Sequence, residues 1–174
     1  MMWPAAELLD TTRFLLEPLF EDHADEMVDV LAFRDLYHFT GGEPPTPEVL
    51  RVRYARQSTG SSPDGKAGWL NWIIRTKTSG QPIGFVQATL TGGGDQLVAD
   101  LAWLITPPAQ GSGAAVESSA AVLAWLKGRR VRSVQALIRP DHSASAGVAQ
   151  RLGLSPTSVR IDGEVLWEAK FPYS

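Results

Sequence analysis

The reading of the chain turns on Trp103-Leu-Ile-Thr-Pro-Pro-Ala-Gln110-Gly-Ser-Gly113-Ala-Ala115-Val-Glu117. Its first residues read as the end of an apolar strand. Pro107 and Pro108 stop that strand, because proline has no N–H to give to a ladder. Gln110 to Ala115 is a turn of small residues, and a helical pattern runs from Gly113 to Lys127 with Val116, Ala120, Val122, Leu123 and Leu126 on a broad apolar face. A strand that passes through such a turn into a helix can hold a phosphate group. The first-turn N–H groups have no intrahelical partner, and the helix dipole places about half a positive charge there. Gly111 and Gly113 let an anion reach the backbone without meeting a Cβ.

Two common phosphate motifs fail here at a residue their mechanism requires. The P-loop needs Lys-Ser/Thr after its last glycine, and Ala114-Ala115 follow Gly113. The dinucleotide fingerprint would start at Gly111, but its third glycine position is Val116. The pattern Gln/Arg-x-x-Gly-x-Gly/Ala does fit, through Gln110, Gly113 and Ala115. A strand-to-helix turn with no ligand is the alternative on this stretch alone.

The length of 174 residues is that of one domain with a substantial core, spanning 1–174. A net charge of −3 speaks against general nucleic-acid binding, which would show a basic excess. The absence of cysteine excludes disulfides, thiolate zinc sites and cysteine nucleophiles, and no metal site is expected. No apolar run reaches the roughly 18 residues of a membrane span, and the N-terminus lacks the layout of a signal peptide, so a cytoplasmic location is expected.

Upstream of the turn, Thr12–Leu19 reads as a strand, and His23–Ala32 as a helix opened by Glu21-Asp22. An irregular connection follows, and Thr46-Pro47 opens a second helix with an N-cap threonine and a proline at the first helical position. Arg51, Arg53 and Arg56 on that helix look like an anion site at first sight, but such a trio is more often a solvated face, and no role is assigned to them. Three segments joined by glycine turns, Gly68–Lys77, Pro82–Leu90 and Val98–Ile105, make an antiparallel meander that feeds the phosphate turn. Downstream, Gly128 is placed to cap the helix, Val131–Ile138 forms a strand, and a short helix closes at Gly153. Two last strands turn at Asp162-Gly163, a strong hairpin signal.

The order of elements, with the Gln110–Ala115 turn, resembles the GNAT superfamily of acetyl-CoA-dependent N-acetyltransferases. Ile138-Arg-Pro-Asp-His142-Ser-Ala-Ser145-Ala-Gly-Val148-Ala-Gln-Arg151-Leu-Gly153 is similar to that family's second strand-then-helix motif, and Ile105-Thr-Pro-Pro-Ala-Gln110 to its entry into the first. Thr12–Leu19 resembles the opening strand of the branch that acetylates ribosomal-protein N-termini (RimJ/RimL-like). The resemblance implies an α/β (α+β) fold: a mixed, mostly antiparallel sheet of about seven strands with helices on both faces.

It also implies roles. Acetyl-CoA as co-substrate would lie along Trp103, Leu104 and Ile105, with its pyrophosphate on Gln110, Gly111, Ser112, Gly113, Ala114 and Ala115. His142 stands where the family has an asparagine that bonds the cofactor, and Ser145 matches a family serine able to bond the cofactor or protonate the leaving thiolate. The tyrosine that serves many members as general acid is here Ala149. Asp100 is the first candidate for general base and Glu164 the second, because attack on a thioester needs a neutral amine and a proton acceptor. Tyr37, His38 and Glu43 fall in the connection that walls the acceptor site in the family. Trp69, Trp72 and Trp103 are core and sheet-packing residues by composition, able also to border that pocket. The acceptor is a primary amine, on a small molecule or a protein N-terminus; homodimers occur in the family. A non-catalytic acyl-CoA-binding module is the alternative function.

Overall fold

The computed structural model describes residues 2–173. Its elements in chain order are β1 (Leu9–Asp10), β2 (Phe14–Pro18), α1 (His23–Val30), α2 (Pro47–Gln57), β3 (Gly68–Thr76), β4 (Pro82–Thr91), β5 (Val98–Ile105), α3 (Ala114–Lys127), β6 (Ser133–Ile138), α4 (Ser143–Arg151), β7 (Ser155–Ile161) and β8 (Glu164–Lys170). Short 3-10 turns at Arg34–Tyr37 and Pro107–Ala109 stand before α2 and α3.

Local chemistry explains most of these boundaries. Thr46 accepts a hydrogen bond from the Val49 N–H at 3.2 Å and Pro47 occupies the first turn, as the sequence predicts. Asp162 and Gly163, with φ of 49° and 82°, make the tight turn between β7 and β8. Gly128 caps α3 as expected, its N–H donating to the Ala124 carbonyl at 3.1 Å, but at φ −60°; the left-handed residue past the helix end is Arg130, at φ 60°. The chain therefore leaves α3 by a longer route than a single glycine cap.

The strands form one sheet in the order β1-β2-β3-β4-β5-β6-β8-β7. All neighbours are antiparallel except β5 and β6, which are parallel because α3 crosses between them. The sheet has eight strands rather than about seven. The extra one, β1, is a two-residue edge pairing Leu9 with Leu16, too short for a periodicity signal.

Alternation divides the sheet into two faces. Along β4, Val86, Ala88 and Leu90 are buried, while Phe85, Gln87 and Thr89 between them are only half-buried. The first set joins Trp72, Leu101, Val134, Val122 and Leu126 in the larger core, under α3 and α4. The second face carries a smaller core of Ala24, Met27, Val30, Leu31, Leu50, Tyr54 and Ile73. There α1 packs chiefly on β4 and α2 on β3. Asp100, Ala102 and Leu137 reach solvent on that face. No helix among the described residues is long and apolar enough to cross a membrane.

Candidate active site

The turn ahead of α3 exposes a run of backbone donors. Gly111 and Gly113 take φ of 75° and 81°, a region that a Cβ disfavours. Among the described residues, the N–H groups of Gly111, Ser112, Gly113, Ala114, Ala115 and Val116 find no acceptor; the first closed bond is Glu117 N–H to the Gly113 carbonyl, 3.0 Å. This is an anion cradle of the kind the helix dipole reinforces. The Gln110 side chain folds back and donates to the Ile105 carbonyl at 2.9 Å, while the Ser112 hydroxyl donates to Ala109 at 2.9 Å. Both side chains brace the turn.

Arg13, which sequence reasoning missed, ties this turn to β2. Its guanidinium donates to the Ser112 carbonyl at 2.9 Å and to Glu117 at 2.7 Å. A Cβ on Gly113 would lie 3.5 Å from Arg13 Nη2, so the cation stands beside the cradle. Burial works to raise the Glu117 carboxyl, but hydrogen bonds from Arg13 and Thr11 hold it below the usual carboxylate range. Arg13 lies about a hundred residues from the turn, and no local pattern links them.

Next to the turn, the sheet opens. β5 and β6 pair only from Val98 with Ser133 to Asp100 with Gln135, and beyond that register they splay apart. The facing edges of Leu101–Ile105 and Ala136–Ile138 bound a wedge that starts at Asp100 and widens toward the two helix N-termini. At ~3.3 Å per residue, the five steps from Asp100 to Ile105 span about 17 Å. Trp103 lies against the larger core, Leu104 against the smaller one, and Ile105 is buried. Gly84 opposite Ile105 is obligatory, since a Cβ there would sit 1.9 Å from the Leu104 carbonyl oxygen.

α4 begins on the other side of the wedge. His142 is its N-cap: Nδ1 accepts from the Ser145 N–H at 3.1 Å, and Nε2 lies 3.3 Å from Ser145 Oγ. With Nδ1 an acceptor, the neutral ring carries its proton on Nε2 and donates to the serine oxygen, leaving the serine proton free to be given elsewhere. Burial holds His142 below the ordinary histidine range and favours that neutral form. The Phe39 ring packs against His142 at 3.9 Å, tilted by 39°, and His38 meets Phe39 edge-on at 4.7 Å. The α1–α2 connection thus reaches across to α4. Ala149 is fully buried in the larger core.

The carboxylates separate in space. Asp100 stands where the wedge closes, in register with Thr89 on β4 and Gln135 on β6. Its side chain keeps contact with solvent, yet burial by its surroundings raises the carboxyl above the usual aspartate range, and no described residue bonds to it. Gln135 is in register with Glu168 on β8 and donates to it at 3.4 Å, which puts a second carboxylate, unnoticed in the sequence, on the same face. Glu164 sits at the β7–β8 turn, opposite Ile161, four residues and roughly 13 Å along β8 from Glu168. Register brings Glu168 toward Asp100 and leaves Glu164 at the far end of the strand.

Two adjoining cavities of about 180 and 510 Å³ lie between α2 and the sheet, sharing Arg53, Gln57, Asn71 and Gln87 in their walls. Thr89, the partner of Asp100, lines the larger, and so does Trp69; Trp72 borders the smaller. Tyr37, His38 and Glu43 line neither: Tyr37 bonds the Leu31 carbonyl at 2.8 Å, and Glu43 is exposed. The cavity walls come from α2 instead. Val49, Val52, Arg53 and Arg56 recur at helical spacing, a signal visible in the sequence but given no role there.

A mixed sheet splayed beside a glycine-rich helix N-terminus defines a class of acyl-CoA-dependent transferases. The model of the GNAT acetyltransferase domain matches residues 13–155, and the chain belongs to that family. No curated protein sequence matches it. Among solved structures, a GNAT-family acetyltransferase from Bordetella pertussis is 26% identical with a TM-score of 0.70, over 93% of this chain and 98% of that one. RimL, a ribosomal-protein α-N-acetyltransferase solved with coenzyme A, shares the fold at 16% identity and a TM-score of 0.75, over 94% and 98%. An aminoglycoside acetyltransferase, also solved with coenzyme A, does so at 16% and 0.73, over 90% and 94%.

Proposed function

We propose that the protein moves an acetyl group from acetyl-CoA to a primary amine by direct attack within a ternary complex. The observation that carries this reading is the continuity of the donor cradle at Gly111–Val116 with the wedge between β5 and β6. The residues present fit acetyl-CoA: the cradle N–H groups and Arg13 suit a pyrophosphate, and the edge of Leu101–Leu104, short of the Ile105 carbonyl that Gln110 occupies, suits an extended amide-bearing arm. When bound, acetyl-CoA supplies the thioester, whose C–S bond breaks as the new C–N bond forms.

The chain's own groups handle position and protons. Asp100, at the closed end of the wedge, takes a proton from the attacking amine, directly or through water. Its raised affinity for protons makes it a better base than an ordinary aspartate, provided it is ionised at the working pH. Glu168, one strand beyond Gln135, offers a route onward to solvent. Ser145, held by the His142 ring, relays a proton from solvent water to the departing sulfur, its hydroxyl regaining one as it gives one up; Ala149 leaves no tyrosine to do so. Both RimL and the aminoglycoside enzyme are amine acetyltransferases by name, and a protein N-terminus or a small amine is the acceptor class here.

The test is thermal unfolding with and without acetyl-CoA, followed by turnover on an amine panel. Ligand at 100 times its Kd adds about 2.7 kcal/mol, or a midpoint shift of several degrees at roughly 2–4 °C per kcal/mol. No shift at saturating acetyl-CoA overturns the reading. A shift without turnover of any amine leaves a binding module.

A further inference from the structure

Of the three arginines on α2, the structure treats one differently from the other two. Arg51 is paired with Asp22 at 3.1 Å and Asp25 at 2.7 Å. Arg53 and Arg56 have no acidic partner among the described residues, and both line the cavity beside Asp100. The walls of the two cavities contain no carboxylate. Arg56 lies over the Trp69 ring, 5.5 Å from its centroid, which holds one cation above the cavity's aromatic wall.

A second observation points to a ligand. Tyr54 is only 4% exposed and lines the inner cavity, yet its hydroxyl has no hydrogen-bond partner; the Gln57 side-chain oxygen is likewise buried and unpaired. Burying polar atoms without partners is costly, and a bound polar group removes the cost. Burial pushes the Tyr54 phenol well above its ordinary range, so it stays an O–H donor. The Gln57 amide can present either end, and the Asn71 and Gln87 amides complete the wall.

We propose that the acceptor is a primary amine bearing an anionic group several bonds from its nitrogen, with the anion held by Arg53 and Arg56 and the nitrogen at Asp100. This rests on the acetyltransferase reading and adds the substrate's charge. Asp100, Thr89 and Trp69 lie in register on three successive strands. At ~4.8 Å between strands, about 10 Å of sheet separates Asp100 from the residue beneath Arg56. An α-amino acid is too short to span it. An ω-amino acid or the first residues of an acidic peptide spans it.

The experiment is calorimetric titration, with coenzyme A present, of ε-aminocaproate, its neutral amide and cadaverine, and of Ser-Glu-amide beside Ser-Gln-amide. Wild type and the Arg53→Gln/Arg56→Gln double variant are compared, with acetyl-CoA turnover read on the same panel. The anionic amines should bind roughly tenfold tighter than their neutral counterparts or better, and cadaverine most weakly. The double variant should erase that preference while leaving the acetyl-CoA-induced thermal shift unchanged. Which acidic probe binds better tells a small metabolite from a peptide N-terminus. Equal binding of charged and neutral probes, a preference for cadaverine, no binding of any probe, or a preference that survives in the double variant overturns the proposal. Turnover of neutral amines without charge preference would leave the transferase intact and remove only the anion. A charge preference in binding without any turnover would keep the anion site and remove the transferase.

Discussion

The two faces of the sheet differ in how far apolar side chains cover them. Each helix layer leaves two buried polar atoms without a partner, the Ser118 and Ser119 hydroxyls on α3 and the Tyr54 and Gln57 oxygens on α2. Under α3 and α4, side chains from β2 to β8 close into one apolar core in which Trp72, Val86, Leu126 and Val134 are fully buried. Under α1 and α2 the apolar cover ends near β4, and beyond it lie Asp100, Gln135 and Glu168 in a cross-strand row, with Tyr54 and Gln57 unpaired beside the cavities. One face supplies stability through burial, about 1.5–3 kcal/mol for each fully buried large side chain. The other keeps polar groups at some cost to stability. On the proposed function, that division places Asp100 and Glu168 on the side from which the acceptor enters, with the wedge between β5 and β6 joining the two faces.

Replacing Asp100 is the strongest way to break the contrast. Asp100→Asn should lower kcat/KM by roughly 10²–10⁴-fold while acetyl-CoA binding persists, measured by steady-state turnover and thermal shift. Stability should move the other way. Because burial raises the folded-state pKa of Asp100, its ionised form destabilises the fold at neutral pH, a cost that fades as pH falls through that raised value. The amide removes the cost, so a melting temperature that rises while activity falls is the expected signature. For the same reason the acid limb of wild-type kcat/KM should lie above the ordinary aspartate range and vanish in the variant; an unchanged limb assigns the base to another group.

On the sealed face the expected loss is of fold, not chemistry. Leu126→Ala leaves a cavity in the larger core and should cost about 2–5 kcal/mol, roughly 4–20 °C in the midpoint. A variant that melts normally would show that face to be less tightly packed than its burial implies.

Gly113→Glu sharpens the role of the wedge mouth. It adds a carboxylate among the free N–H groups and strains a residue at φ 81°, so acetyl-CoA should bind roughly a hundredfold more weakly through lost charge-assisted bonds. Gly113→Ala separates strain from charge: its Cβ meets only Arg13 at 3.5 Å, and about 1 kcal/mol of strain is its full expected effect. Equal losses in the two variants would remove the anion from the explanation.

The smallest effect concerns the N-cap of α4. His142→Ala should cost about 1 kcal/mol, or roughly 2–4 °C, and His142→Asn, itself a good cap, should melt within about a degree of wild type. If Ser145 depends on the His142 ring for its orientation, kcat should fall in both variants while the KM for acetyl-CoA holds.

Trp103–Glu117 shows what was legible and why. A proline pair, two glycines and a helical apolar pattern are local signals, and the turn they describe appears in the structure with both glycines left-handed. Asp162-Gly163 and Thr46-Pro47 were legible for the same reason. Gly128 was legible as the cap of α3 but not in its conformation, because a glycine at a helix end satisfies the pattern without having to turn left-handed. Arg53 and Arg56 were visible as charges, but their lack of acidic partners was not, since Arg51 looks the same in sequence and differs only in facing α1.

By itself, then, the sequence determined the order of elements, the glycine turn ahead of α3 and the family's two motifs, all of which depend on residues within a few positions of one another. The tertiary structure decided which distant side chains meet: Arg13 beside Gly113, Glu168 behind Asp100, and the cavity between α2 and the meander. Those meetings depend on strand register and helix placement, where a one-residue shift would turn every side chain to the opposite face. Local patterns carry no record of that choice.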